Sequence, residues 1–201
     1  MEQSVEIETR EEIGDVTALW IDGSCQGRIG PLGQLSPYME EMLSIMDYSK
    51  FIPGTPKTLV IGLGAGLIPT RLWESAMAPS DVIEPFSLVL QVAQRDFGYK
   101  QHGEHFRGSA VTALKYIKTK YDYIFLDAYN GYEPAPKCYC TAMYKKLYSR
   151  LHLGGWLALN LVTNNVNECD KTRESLESVF DFVRSTSNRS TVKDGERFNA
   201  V

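Results

Sequence analysis

Two short segments hold the residues whose types and spacing could do chemistry. The first is Ile61-Gly62-Leu63-Gly64-Ala65-Gly66, followed by Glu84 at the end of the next apolar run. Glycines in such a loop let the backbone turn tightly and come close to a ligand. A helix opening behind them favours polar or anionic groups. A carboxylate at a strand's carboxyl end can accept both hydroxyls of a ribose. Gly62, Gly64, Gly66 and Glu84 therefore read as a nucleoside site. No Gly-Lys-Ser/Thr run follows the glycines, which excludes Walker-type phosphate chemistry. The second segment is Asp127-Ala-Tyr-Asn-Gly-Tyr-Glu133, directly after the apolar run Tyr121 to Leu126. A cationic amine would want carboxylates and aromatic faces there, and an attacking nitrogen would want a carboxylate base. Asp127, Tyr129 and Glu133 are the ligand candidates. The competing reading makes Asp127 a loop cap and the tyrosines packing residues.

These segments need a scaffold, and the hydrophobic pattern supplies one. Residues 3–9 alternate, with Val5 and Ile7 opposite Glu6 and Glu8, and a Gly14-Asp15 turn leads to Val16 to Ile21. Asp22-Gly23 ends that run, so the pattern predicts a small antiparallel hairpin. A glycine-rich stretch from Gly23 to Gly33 follows. Ser36-Pro37 then opens a helix with Tyr38, Met42, Ile45 and Met46 at helical spacing. Phe51 to Pro56 reads as a linker, which sets an N-terminal element at 1–53 and a second domain at 54–201.

Beyond the linker, strands predicted at Thr58–Ile61, Asp81–Ile83, Phe106, Tyr121–Leu126 and Trp156–Leu159 alternate with helices. The helices are predicted at 67–77, 87–97 (Leu88, Val89, Val92 and Ala93 inward), 111–117, 141–151 and 171–183. The last carries Leu176, Val179, Phe180 and Val183 on one face. This is an α/β fold with a mostly parallel sheet covered by helices on both faces. The GxGxG spacing favours its methyltransferase-like Rossmann version over the dinucleotide one, although NAD stays possible. After Ser190 only Thr191-Val192 and Phe198 to Val201 remain for a closing hairpin, so the chain reads as either minimal or truncated at its C-terminus.

Composition excludes several classes. The 201 residues carry 21 Lys and Arg against 25 Asp and Glu, for a formal charge of -4. That balance argues against wrapping nucleic acid. No apolar run is long enough to span a membrane, and the acidic N-terminus is unlike a signal peptide. The expectation is a cytoplasmic chain. Cys25, Cys138, Cys140 and Cys169 lack CxxC spacing, so neither zinc nor a disulfide framework is expected. His102 and His105 are read as loop residues, with no metal. Lys115, Lys118, Lys120, Lys145, Lys146 and Arg150 are read as solvated helix faces. Met39, Met42 and Met46 are read as core, or as a dimer face if exposed.

Taken together, the residues resemble the polyamine aminopropyltransferases, the spermidine synthases and their relatives, from about residue 16 to about 183. The likeness runs through Leu19-Trp-Ile-Asp-Gly23 and Gln26, Tyr38-Met-Glu40 and Leu59 to Gly64. It continues through Tyr121 to Asp127, Thr141 and Leu153 to Asn160. It implies a donor, decarboxylated S-adenosylmethionine, and a polyamine-like acceptor amine deprotonated by an acidic residue. Gln26 and Tyr38 would border the pocket, Gly62 to Gly66 would hold the donor's sulfur end, and Glu84 would bind the ribose. A homodimer built through the N-terminal hairpin is also implied.

The chain departs from the family at four places. Ala65 stands where the glycine loop carries Asp, and Pro85-Phe86 follow the ribose acid in place of Ile/Leu-Asp. Ser109 stands where an Asp meets the adenine. The family's D..D pair reads Asp127 and Asn130, and the resemblance puts the base at the second position. Three functions follow: an aminopropyltransferase-like enzyme with Asp127 or Glu133 as replacement base, an S-adenosylmethionine-dependent methyltransferase, and a non-catalytic nucleoside-binding scaffold.

Overall fold

A computed structural model describes residues 7–12, 16–21, 23–30, 33–51, 54–163, 165–192 and 195–200. The Gly14-Asp15 turn, Val5 and Asp22 lie outside these residues, as do Ile52-Pro53 of the linker. The amino-terminal part is a three-stranded antiparallel sheet, β1 (Ile7–Glu12), β2 (Val16–Ile21) and β3 (Ser24–Ile29). The predicted hairpin thus gains a third strand out of the glycine-rich stretch. Ser24 to Arg28 shows no apolar alternation, so its pairing with β2 has no signature. Gly27 explains the choice of residue: a Cβ there would lie 2.9 Å from the Cβ of Ala65. Helix α1 (Pro37–Leu43) starts at the predicted Ser-Pro and tightens into a 3-10 turn over Ser44–Phe51.

The second part is a five-stranded parallel sheet in the order β10-β7-β4-β5-β6. Its strands are β4 (Thr58–Ile61), β5 (Ser80–Ile83), β6 (His105–Phe106), β7 (Tyr121–Leu126) and β10 (Leu151–Leu159). Helices α2 (Leu67–Ala76), α3 (Ser87–Asp96), α4 (Ala110–Tyr116) and α5 (Thr141–Arg150) fall where the apolar periods put them. Alternation along the strands divides the core in two. Val60, Tyr123 and Phe125 pack with Leu19, Met39, Met42, Leu72 and Val89 on one face. Leu59, Ile61, Ile124 and Leu126 pack with Ala113, Leu114, Tyr144 and Leu147 on the other. The amino-terminal sheet and α1 therefore complete the first core, which answers the methionine alternative in favour of packing for Met39 and Met42. Thr9 Oγ1 donates to Asp96 Oδ2 at 2.6 Å, tying β1 to the end of α3.

Two predictions need correction. Leu88 is 45% exposed, because Val89, Val92 and Ala93 already fill the inner face of α3. The last helix, α6, spans Val166–Glu177, not 171–183. Asn165 caps it by accepting from the Asn167 N–H at 3.0 Å, and no α6 residue is fully buried. Val179 and Phe180 still pack on the second core, from a turn beyond the helix. At the carboxyl end, β12 (Ser187–Val192) and β13 (Gly195–Ala200) form an antiparallel hairpin that joins β11 (Leu161–Thr163). A two-residue ladder, β8 (Tyr129–Asn130) with β9 (Glu133–Pro134), follows β7. Among the described residues no helix is long and apolar enough to cross a membrane.

Gly62 tests this architecture. Its φ is +93°, and a Cβ would fall 2.1 Å from the backbone oxygen of Asp127. Gly62→Ala is expected to cost more than about 3 kcal/mol, read as a shift in the urea midpoint. Gly54→Ala, at φ +87° in open space, is expected to cost only about 1 kcal/mol.

Candidate functional site

The strand registers set a row of residues along the carboxyl edge of the parallel sheet. Ile61 faces both Ile83 and Leu126, and Leu126 faces Leu159. The next residue on each strand is Gly62, Glu84, Asp127 and Asn160, so these four stand side by side. From β4 the chain moves outward to β5 and β6, then returns to β7 on the other flank. That switch in direction between β4 and β7 is the position at which open α/β sheets form the crevice that binds their ligands.

Asp127 sits at that switch point. Its Oδ1 accepts from Asn160 Nδ2 at 2.9 Å, and its Oδ2 accepts from the Tyr38 hydroxyl at 3.2 Å. Burial pushes the Asp127 carboxyl above the usual carboxylate range, and these two hydrogen bonds oppose that rise. Burial and the Asp127 charge in turn hold the Tyr38 phenol well above its usual value, so it stays a neutral donor. Tyr38 reaches the site because Pro37 fixes the first turn of α1 against the sheet edge.

Glu84 is 5% exposed. Its Oε2 accepts from the Leu63 N–H at 3.1 Å and its Oε1 from the Phe86 N–H at 2.9 Å. Burial raises its pKa, while those two N–H groups lower it. The carboxylate thus fixes the glycine loop and the turn into α3. The glycines themselves permit approach of protein to protein: Gly62 meets Asp127, Gly64 the Gln26 carbonyl, and Gly66 the ring of Tyr99. Ala65, 2% exposed, is closed under Gly27 of β3. A carboxylate there would be buried, which gives a physical reason for the missing loop Asp.

Other predicted residues lie elsewhere. Gln26 Nε2 donates to the Gly131 carbonyl at 2.9 Å and to Ser24 Oγ at 3.1 Å, latching the β8–β9 ladder to the amino-terminal sheet. Tyr129 is a brace, its hydroxyl donating to the Asn160 carbonyl and accepting from the Val162 N–H, both at 2.8 Å. Asn130 and Glu133 are exposed partners on the small ladder and make no bond to Asp127. Ser109 is an exposed cap of α4, accepting from the Thr112 N–H. Asn160 was not singled out from the sequence for a role. Its signal is the one that marks Asp127, a polar residue closing an apolar strand. His102 stacks on Trp73 at 3.7 Å between centroids, and among the described residues no His/Cys/Asp/Glu group is placed to hold a metal.

Neither carboxyl is bonded to a Lys or Arg among the described residues. Two desolvated acids without a protein cation suit a cationic ligand, since burial penalises an unpaired charge.

Comparison with known proteins bears on the fold. No family model matches the chain. A polyamine aminopropyltransferase of Vibrio vulnificus (strain CMCP6) is 39% identical over 88 residues, 40% of this chain and 29% of that protein. The match therefore spans under a third of the relative's length. Spermidine synthase from Thermotoga maritima has a TM-score of 0.75 at 15% identity, covering 98% of this chain and 68% of that one. Human methyltransferase-like protein 13, solved in complex with SAH, has a TM-score of 0.70 at 20% identity, covering 82% and 81%. The structural likenesses establish a methyltransferase-like Rossmann fold with an amino-terminal β element. The sequence match is a likeness to a polyamine aminopropyltransferase over those 88 residues.

The Asp127 environment has a consequence for stability. A carboxyl whose folded pKa is raised contributes stability fully below its unfolded pKa and loses it as pH rises through the folded value. Asp127→Asn keeps the shape and removes the desolvated charge. At neutral pH it is expected to stabilise the fold by about 1 kcal/mol, about 3 °C in melting temperature. The gain is expected to shrink as pH falls toward 4, the ordinary carboxylate range, which thermal melts across that range would check.

Proposed function

We propose that this diverged spermidine synthase relative transfers an alkyl group from a sulfonium nucleoside, decarboxylated S-adenosylmethionine, to an amine, with Asp127 as the base. The observation that carries the reading is the Asp127 carboxyl itself, desolvated, without a cationic partner among the described residues, and set at the switch point between β4 and β7. Burial raises its pKa, which makes it a stronger base than a solvated carboxylate. Asp127 replaces the base that the resemblance puts at Asn130, which is exposed and an amide.

The site residues fit such a donor in part. Each Glu84 oxygen accepts one N–H, which leaves lone pairs for the ribose hydroxyls without releasing the loop. Gly62 to Gly66 would border the donor's sulfur end. Ala65 and Ser109 offer it no carboxylate, so donor affinity would rest on Glu84. The donor supplies an electrophilic carbon next to its sulfonium. Asp127 takes one proton from the acceptor ammonium; the nitrogen lone pair forms the new C–N bond as the C–S bond breaks, and the sulfur leaves as a neutral thioether. Tyr38 and Asn160 hold the carboxylate while it is ionised.

Methyl transfer is the second reading, supported by the likeness to the human methyltransferase-like protein. It needs alignment more than acid–base help.

Parallel calorimetric titrations of decarboxylated S-adenosylmethionine, S-adenosylmethionine and methylthioadenosine separate the readings. The expected result is micromolar binding with preference for the decarboxylated donor. Asp127→Asn should keep donor binding and lose turnover of an amine by at least about 100-fold. Preference for the intact donor would favour methyl transfer. No binding of any of the three would overturn both enzyme readings.

A further inference from the structure

The formal charge of -4 conceals a division between the two sides of the parallel sheet. The elements over the first core are acidic: β1 carries Glu8, Glu11 and Glu12 against Arg10, and α1 adds Glu40 and Glu41. Residues 105–121 and 134–163 contain no Asp or Glu. They include α4, the turn after it, and α5, which cover the second core. Lys115, Lys118, Lys120, Lys145, Lys146 and Arg150 all belong to these elements, and all but Arg150 are exposed. Among the described residues none of the six pairs with a carboxylate. Lys118 also donates to the Lys115 carbonyl at 3.2 Å, at the carboxyl end of α4.

Packing fixes where these charges stand. Ala113, Leu114 and Ile117 face the sheet, so Lys115 and Tyr116 are left on the outer side of α4. On α5 it is Met143, Tyr144 and Leu147 that face the sheet. Tyr148 meets Phe180 edge-on at 5.4 Å, on the flank where α6 packs against α5. Lys146 and Arg150 each lie two residues from Tyr148, about 200° around the helix. Both therefore stand on the opposite flank. α4 enters β7 and α5 leaves it on the same side of the sheet, so that flank looks toward α4. The charges gather in the later turns of both helices and before β7, at the sheet edge opposite Asp127. Lys146 and Arg150 are four apart, a like-charge spacing that destabilises a helix. The helix dipole favours cations at the ends of α4 and α5. It does not account for the absence of acids from the outer sides of both.

We propose that the α4–α5 face binds single-stranded nucleic acid, the cations meeting its phosphates and the tyrosine rings stacking on its bases. Tyr116 is 75% exposed and Tyr148 49%. A positive strip with exposed aromatic rings is the arrangement that holds single strands without reading their sequence. A duplex would offer phosphates but keep its bases stacked away from the rings. A flat anionic bilayer fits less well, because it would press on α6, where Glu168, Asp170, Glu174 and Glu177 are exposed beside α5. The outer sides of α4 and α5 also expose no Leu, Ile, Phe or Trp to insert. The inference concerns a surface apart from Asp127 and does not rest on amine transfer.

The test is fluorescence anisotropy of labelled oligo-dT and oligo-U, each about 12 nucleotides long, titrated with the full chain across a salt series. Saturable binding of one or both is expected at about 50 mM salt, with a log–log slope of about -2 if about three phosphates are neutralised. Preference between the two shows whether the strand is DNA or RNA. Lys146→Glu and Tyr116→Ala should each weaken binding at least about fivefold. Lys100→Glu, the same charge change in the loop after α3, should alter it less than about twofold. Binding that Lys146→Glu leaves intact, or that Lys100→Glu weakens as much, would overturn the proposal. So would oligoglutamate competing as well as the oligonucleotides at equal charge. No oligonucleotide binding also overturns it, and co-sedimentation with phosphatidylserine vesicles, lost in Lys146→Glu, would then make the face a membrane surface. Should Lys146→Glu not fold, Lys115→Ala decides: the salt slope is expected to shrink by about 0.7, and an unchanged slope would overturn the proposal.

Discussion

The constraint on which the rest of the site depends is the placement, at the sheet's switch point, of a carboxyl with no cation bonded to it among the described residues. Asp127 is carried there by β7, whose apolar residues are the centre of both cores. Burial raises its pKa, and among the described residues two neutral donors, Asn160 and Tyr38, hold the ionised form. Such an arrangement is unfavourable for the fold alone, because a buried charge without a counter-charge weakens stability. It becomes intelligible if the missing charge arrives with a ligand. Glu84 repeats the pattern one strand beyond Gly62, with backbone N–H groups in place of side-chain donors.

The amino-terminal sheet and α1 are a roof built to this edge. α1 brings Tyr38 to Asp127, β3 lays Gly27 on Ala65, and Gln26 holds the β8–β9 ladder by the Gly131 carbonyl. These contacts explain several departures from the resembled family together. The loop Asp has no room beneath β3, and the second acid of the pair has moved to an exposed position as an amide.

Much of this was legible in the residues, and the reasons for the rest are physical. Strands buried on both faces read as unbroken apolar runs, so β4, β7 and the alternation with helices were visible. Glu84 and Asp127 were marked by polarity at a strand end. Asn160 carries the same mark, yet its role depends on the β7–β10 register, which no local pattern encodes. Strand β3 was hidden because Ser24 to Arg28 is chosen for close approach to Ala65 and not for an apolar face. Helix α6 was placed too late because none of its residues is fully buried, leaving its start marked by Asn165 and by Glu168 in the first turn, with no apolar face. Tyr129 was read toward a ligand, whereas its hydroxyl braces Asn160 and β11.

The central claim is that Asp127 is a desolvated base poised to take a proton, and the direct measurement is a carboxyl-carbon NMR titration of Asp127 in the intact chain. The account predicts a pKa above 3.8, the ordinary value of an aspartate carboxyl, and a further rise in Tyr38→Phe, where one of the two opposing hydrogen bonds is gone. A titration at or below that value, unmoved by Tyr38→Phe, would contradict it and leave Asp127 as a structural cap of the loop.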